Sequence, residues 1–524
     1  MLSYSKFLVV VLAVILWGES TECSRILCVF QFPLTSHQAP FQEIVTGLSL
    51  RGHKVVSVTA KPIRDPKLTN LQEIDVREKA IAAVSKYGLP AKMSIDIPIH
   101  HKIPMLFAVQ NDLAEVIFDN EEFKNIYNDP NQKFDLVITQ IYASPIFFAL
   151  GNKLNAPVIG VNSMGGWQGT HIAIGNPNPP ALYSDMWLHY NGDDLTFYER
   201  IRSTLYFLWS RLYVHFIALP ECDKIVKKYL GNDLPYIADI EKNLSALFLN
   251  INPIIYAVRP MVPTIVSMVF IHVKPPKPLP ENIRQEIESA SNGVIFLSLG
   301  DTIKTVNVQT VNNNIFGLLL EVLGELPYKV LMKYENDVLP GKPDNVVIRK
   351  WLPQQDILAH PNVKLFITQG GLQSVEEAID REMPMFGLPL ISDQEMDCKQ
   401  LAKWGAMVKV DFRNTTKEEI KRGILEVISN PVYKQNVQKI KKILRDEPWT
   451  SLQKVIWWSE YVIRHKGTRH LRSPTIDIEW PKYLLLDVLT VLIGGPLLFL
   501  FVLVRVVKRV LSSKKKVDKG KKRL

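Results

Sequence analysis

Residues Trp351 to Gln394 read WLPQQDILAHPNVKLFITQGGLQSVEEAIDREMPMFGLPLISDQ, and their polar side chains stand at the joints between recognisable strands and helices. The apolar run Lys364 to Thr368 predicts a short buried strand. Gly370 and Gly371 predict the tight turn after it, and Ser374 to Arg381 the helix that the turn opens. A helix entered this way offers unsatisfied backbone N–H groups and the positive end of its dipole, which together suit an anion. Trp351 and Gln354 follow a strand-like segment from Asn345 to Lys350, where an indole can lie on a planar ring and an amide can reach its edge. Glu377, one turn into the helix, can accept hydrogen bonds from a diol. Asp393 and Gln394, after another short strand from Met385 to Leu388, suit hydroxyl groups.

The same alternation of strand and helix extends outward from this stretch. Before it lie strand Val294 to Leu299, helix Val311 to Leu323, and strands Lys329 to Lys333 and Val346 to Ile348; after it come helices Lys417 to Ile428 and Tyr433 to Leu444. Upstream, VKPPKPLP at 273–280 is a stiff linker and a domain boundary. The N-terminal half opens with strand Ile26 to Phe32, helix Phe41 to Leu50, a stop at Gly52 and strand Lys54 to Thr59. Further strands are expected at Leu136 to Thr139, Val158 to Val161 and near Leu247, with a helical region from Thr196 to Leu230. The Gly- and Pro-rich residues 165–184 predict an irregular loop. The class is therefore α/β, with two Rossmann-like domains facing a cleft at the strands' carboxyl ends. The first loop reads PLTSH rather than GxGxxG, which argues against a nicotinamide cofactor, and no metal-ligating cluster stands out.

The chain has 524 residues, 47% apolar and 22% charged, enough for two to three domains. Residues 1–23 have the pattern of a secretory signal. Tyr483 to Val504 is 22 residues long with one charge, Asp487, and at about 1.5 Å per residue it can cross a bilayer as a single transmembrane helix. Residues 505–524 carry ten Lys or Arg against Asp518 alone, which predicts a cytosolic tail and a luminal body. That tail holds most of the net charge of +10, so no nucleic-acid partner is implied. The final Lys521, Lys522, Arg523 and Leu524 match a dilysine pattern for return to the endoplasmic reticulum membrane. Four cysteines make no disulfide framework, and Asn243 and Asn414 are glycosylation sequons.

The joint spacing of WxxQ, HP, TxGG, SxxEA and DQ within the opening stretch resembles the signature of the UDP-glycosyltransferases, and the TQGGLQS form is similar to insect members. The segment SLQKVIWWSEYVIRHKGTRHLRS at 451–473 resembles that family's run before its membrane anchor. The resemblance implies the GT-B architecture, with an acceptor-binding domain over 24–270 and a UDP-sugar-binding domain with return helices over 271–480. It implies Trp351 on uracil, Gln354 and Glu377 at the ribose, Gln369, Gly370, Gly371, Gln373 and Ser374 at the diphosphate, and Asp393 with Gln394 on the sugar. Arg259 and Ser298 stand where the family has them, Arg259 as the fixed cation for the diphosphate. His37, in the loop after the first strand, stands where the family keeps its catalytic base.

Several positions depart from the family pattern. Gln140 follows FDLVIT where the family has an acid that orients the base, and amide-for-acid exchange in a Ser-His-Asp triad costs roughly 10⁴-fold. Gln369 and Gln373 replace a usual His and Asn, Asp301 replaces Ser or Thr, and Phe270-Ile271 replaces Gly-Gly. The expected activity is inverting transfer of a hexose, glucose foremost, from a UDP-sugar co-substrate to a small lipophilic acceptor, as in detoxification. The alternative is a catalytically weak relative that binds a UDP-sugar, a lipophile or a sister transferase, so a homo- or hetero-oligomer stays open. One spanning segment argues against a transporter.

Overall fold

The computed structural model describes residues 23–88, 98–188, 190, 195–256, 258–300, 313–391, 393–411 and 414–521. The signal-like run before residue 23, Asp301 and the last three residues lie outside the described residues.

The first sheet is all parallel. Its strands are β1 (Arg25–Phe30), β2 (Lys54–Thr59), β3 (Leu71–Asp75), β4 (Leu136–Gln140), β5 (Val158–Asn162), β6 (Ala246–Leu249) and β7 (Ile265–Ser267), in the order β3-β2-β1-β4-β5-β6-β7. RILCVF and KVVSVT are nearly continuous apolar or β-branched runs, as strands covered on both faces by helices must be, and they pair from Arg25 with Lys54 to Phe30 with Thr59. Strands β3 and β7 escape a sequence reading because they are edges. In LQEID only Ile74 is buried, and β7 has three residues.

The second sheet is also parallel: β8 (Val294–Ser298), β9 (Lys329–Lys333), β10 (Val346–Arg349), β11 (Val363–Thr368), β12 (Met385–Gly387) and β13 (Met407–Lys409), in the order β10-β9-β8-β11-β12-β13. Each sheet reverses strand order beside its first strand, and ligands in such sheets bind at the strands' carboxyl ends near that switch. The two sheets share a continuous apolar core that includes Leu27 and Val137 of the first and Phe296 and Phe366 of the second.

Helix α1 (Thr35–Leu50) starts six residues before its expected position, with Pro40 inside it. Gln38 anchors this early start by donating to the Phe30 and Phe32 carbonyls at 3.1 and 2.7 Å. Residues 165–184 are not wholly irregular, because Gln168–Ala173 forms a short helix. The expected Thr196 to Leu230 region is Phe197–Tyr213, a wide turn at Val214–Ala218, and Leu219–Leu230. In the second half, α2 (Gln354–Leu358), α3 (Leu372–Asp380) and α4 (Gln394–Lys403) follow β10, β11 and β12. The proline-rich segment is held against α2: Lys274 N–H donates to the Gln355 side chain at 3.0 Å and Lys277 N–H to Asp356 at 2.7 Å.

After the second sheet, α5 (Ser451–Arg464) returns to the first. It packs on α1, where a side chain on Gly47 would meet Leu452 and Ile456 within 3 Å, and Glu460 pairs with Arg51 at 2.9 Å. Ser473 onward forms a separate unit. In it Leu486–Ser512 is the one helix among the described residues long and apolar enough to cross a membrane. It starts three residues later and ends eight later than the expected span, with a wide turn at Thr490–Gly494 just before Pro496, which has no N–H to donate.

Candidate active site

The carboxyl ends of the second sheet assemble the polar half of a site. Trp351, just beyond β10, is 69% exposed, so its indole is available to a ligand. Gln354 opens α2 and donates its amide to Glu377 at 2.7 Å and to the Ser374 hydroxyl at 3.0 Å, while Gln355 holds the other Glu377 oxygen at 3.0 Å. The carboxylate is thus fixed before any ligand arrives. After β11 the chain turns at Gly370 with φ +84°, a conformation glycine adopts freely, and an added Cβ would lie 2.2 Å from Cys398 Sγ. Gly371 is the N-cap of α3 and provides no capping side chain, so the helix's first N–H groups stay open. Asp393 is the N-cap of α4, and Gln394 accepts from the Leu390 and Ile391 N–H groups at 3.0 Å. Ser298 ends β8 beside Gly300, and the Gln369 amide packs so close to Gly300 that a Cβ there would sit 2.2 Å from Nε2.

His37 lies in the first turn of α1, on the carboxyl side of the first sheet. Its Nδ1 is 2.5 Å from the Ser163 hydroxyl, and the Tyr142 ring meets it edge-on at 5.5 Å between centroids. Burial pushes the imidazole pKa down to about 4, so the ring is a neutral base at physiological pH. Gln140 is fully buried, its amide oxygen accepts from the Phe32 N–H at 3.0 Å, and its Nε2 has no hydrogen-bond partner.

Both halves face one cleft of about 340 Å³. Eleven of the fourteen residues expected from the sequence line it: His37, Ser298, Trp351, Gln354, Gln369, Gly371, Gln373, Ser374, Glu377, Asp393 and Gln394. The wall around His37 is apolar, with Phe32, Leu106, Trp167, Met186 and Trp187, and the opposite wall is polar. Gly370 makes the turn without lining the cleft. Gln140 stays in the sheet's end, where it contacts Phe32 and not His37. Arg259 does not line the cleft either: its guanidinium is 3.2 Å from His171 Nε2 and stacks 5.2 Å over Tyr183.

Three residues that sequence reasoning passed over belong to the site. Lys333, the last residue of β9, lines the cleft beside Ser298 and donates to the Gly300 carbonyl at 3.0 Å. Its place at a strand's carboxyl end was the available signal. His272 lines the floor, 3.4 Å from Glu377 and 3.5 Å from Glu376. Burial works against its charge, but the two glutamates outweigh that and hold its pKa above the ordinary value. Ser163, just after β5, carried no sequence signal. Behind them, Asp397 is fully buried with neither carboxyl oxygen hydrogen-bonded, and burial, then Asp393 and Glu376, push its pKa far up. Glu376 is raised to about 7, chiefly by burial.

Two facing parallel α/β sheets with this cleft define a GT-B glycosyltransferase, and solved structures share the fold. Glycosyltransferase VinC in complex with DTDP superposes with a TM-score of 0.57 at 16% identity, covering 84% of this chain and 100% of that one. Spinosyn forosaminyltransferase SpnP gives 0.56 at 14%, covering 84% of this chain and 100% of that one. The family model described as UDP-glucoronosyl and UDP-glucosyl transferase matches residues 29–523, and the chain belongs to that family. UDP-glucosyltransferase 2 of Dactylopius coccus is 31% identical over 523 residues, 99% of each chain. The 2-hydroxyacylsphingosine 1-beta-galactosyltransferase of Mus musculus is 28% identical over 509 residues, 94% of this chain and 90% of the relative.

Proposed function

We propose that the protein transfers a hexose, glucose foremost, from a UDP-sugar to a hydroxyl of a small lipophilic acceptor, with inversion at the anomeric carbon. The observation that carries this reading is one cleft with a neutral histidine on an apolar wall facing Trp351, Glu377 and Asp393 on a polar wall. Uracil stacks on Trp351, Gln354 and Glu377 take the ribose, and the diphosphate meets the open N–H groups of α3 and the Lys333 ammonium. Asp393 and Gln394 take the sugar hydroxyls. Nε2 of His37 accepts the acceptor's proton as its oxygen attacks the anomeric carbon; the bond from that carbon to the phosphate oxygen breaks, and UDP leaves with the electron pair. The proton then passes to solvent, and no covalent sugar forms on the enzyme.

The one helix among the described residues long and apolar enough to cross a membrane, together with the basic tail, supports a body on the luminal side of the endoplasmic reticulum membrane and a cytosolic tail. UDP release from microsomes, scanned over UDP-sugars and phenols, tests the reading: turnover is expected with at least one pair and is lost in His37→Ala. That no acid among the described residues is hydrogen-bonded to His37 favours a second reading, a UDP-sugar-binding relative of low turnover. UDP binding without release of UDP from any pair would favour it.

A further inference from the structure

The His37 ring is held by a residue from a different element than the one expected to hold it. Ser163 follows β5, is fully buried, and presents its hydroxyl to Nδ1 at 2.5 Å. Gln140 is committed elsewhere by its bond to the Phe32 N–H, and the position that faces Nδ1 is already filled. Ser163 is in turn gripped from across the cleft: Gln373, in the first turn of α3, donates its amide to the Ser163 carbonyl at 2.7 Å. Tyr142 completes the cluster, its buried hydroxyl set among the Ser163 and Gln140 side chains.

We propose that Ser163 is the positioning residue for His37, that Gln373 on the donor wall sets Ser163 in place, and that this uncharged partner confines turnover to acceptors with acidic hydroxyls, phenols and enols rather than aliphatic alcohols. The proposal rests on His37 being the base. With Nδ1–H donated to Ser163 Oγ, the lone pair of Nε2 is left for the cleft. A hydroxyl can donate as well as accept, so it holds the ring without enforcing that tautomer as an acceptor-only carboxylate does, and it carries no charge to stabilise the imidazolium that forms when the proton arrives. Among the described residues, the titratable or charged groups lining the same cleft are Lys61, Tyr142, His272, Lys333, Glu377 and Asp393, and none of them is hydrogen-bonded to the His37 ring. A base this weak accepts a proton readily only from an acidic donor. A phenol ionises near pH 10, whereas an alkyl hydroxyl resembles water at about 15.7. The aromatic and thioether wall of Phe32, Trp167, Met186 and Trp187 accommodates flat rings. Because Gln373 belongs to the donor wall, the base is aligned when the two walls meet.

The test uses the full-length chain in microsomes with the UDP-sugar that supports fastest turnover, a series of substituted phenols and matched benzyl alcohols, following UDP release. The wild type should speed up as the phenol becomes more acidic and turn over the alcohols at least roughly 100-fold more slowly. Ser163→Ala should lose roughly 10- to 100-fold in kcat with the KM for the UDP-sugar unchanged, and Ser163→Thr, which keeps the hydroxyl, should recover most of it. Ser163→Asp should move the acid limb of the kcat pH profile upward and bring alcohols closer to phenols. UDP titration of each variant checks folding. If Ser163→Ala fails to bind UDP, the Thr and Asp variants decide. Full activity of Ser163→Ala, with His37→Ala inactive, overturns the proposal and leaves His37 as base; equal use of alcohols and phenols by the wild type overturns the acceptor restriction. Activity of His37→Ala, or no turnover of any pair by the wild type, overturns the proposal together with the reading beneath it.

Discussion

The Gln354 amide donates to the Glu377 carboxylate across 2.7 Å, joining the residue that opens α2 to one in the second turn of α3. With Gln355 on its other oxygen, that carboxylate cannot swing away when a ligand leaves. Glu377→Ala should therefore weaken UDP binding by about 1.5–3 kcal/mol, the range for hydrogen bonds to a charged group. Calorimetric titration measures it, and an unchanged affinity would remove the ribose from this corner of the cleft.

Trp351 is exposed enough that its removal costs little folding energy. Trp351→Ala should keep the melting temperature and lose about 1–3 kcal/mol of UDP affinity, the usual worth of a base stacked on an aromatic ring. Paired melting and titration experiments check both halves, and a drop in stability without loss of affinity would make the indole a structural residue.

Asp397 is a buried acid whose pKa is raised in the folded state, so the native protein binds its proton more tightly than the unfolded chain. Stability from such a group falls as pH rises above the unfolded value of about 3.9 and keeps falling until the folded value is passed. Asp397→Asn removes this loss. The variant should melt higher than the wild type at pH 7.5, at about 1 °C per kcal/mol gained for a body of this size, and the gap should close toward pH 4. A gap independent of pH would show that the change acts through packing.

Asn243 and Asn414 are both exposed in the folded body. On the luminal assignment both should carry glycans, seen as two steps of mobility on mild endoglycosidase treatment, and protease added to sealed microsomes should trim only the tail beyond Arg505. Digestion of the body would reverse the orientation.

The elements around the cleft were legible because strands covered on both faces are apolar throughout and the turns between them need glycine. KLFIT followed by Gly370 and Gly371 could hardly be read otherwise. Edge strands were not, since Leu71–Asp75 alternates polar residues on an exposed rim and Met407–Lys409 is only three residues long. Helix α4 was missed because a run with four charges, QEMDCKQLAK, buries polar residues as readily as apolar ones. Position in the chain put Gln140 at the carboxyl end of β4 and Arg259 between β6 and β7, but could not tell which way their side chains turn. Ser163 and His272 acquire their roles only when two segments far apart in sequence face each other.

The return of α5 to the first sheet means that the polypeptide bridges the two halves twice, once through the proline-rich segment and again through residues 446–450. A body joined at one point could swing in any direction, but two bridges define an axle. Any movement of one half against the other must bend both crossings at once, so neither linker alone sets how far the halves can part.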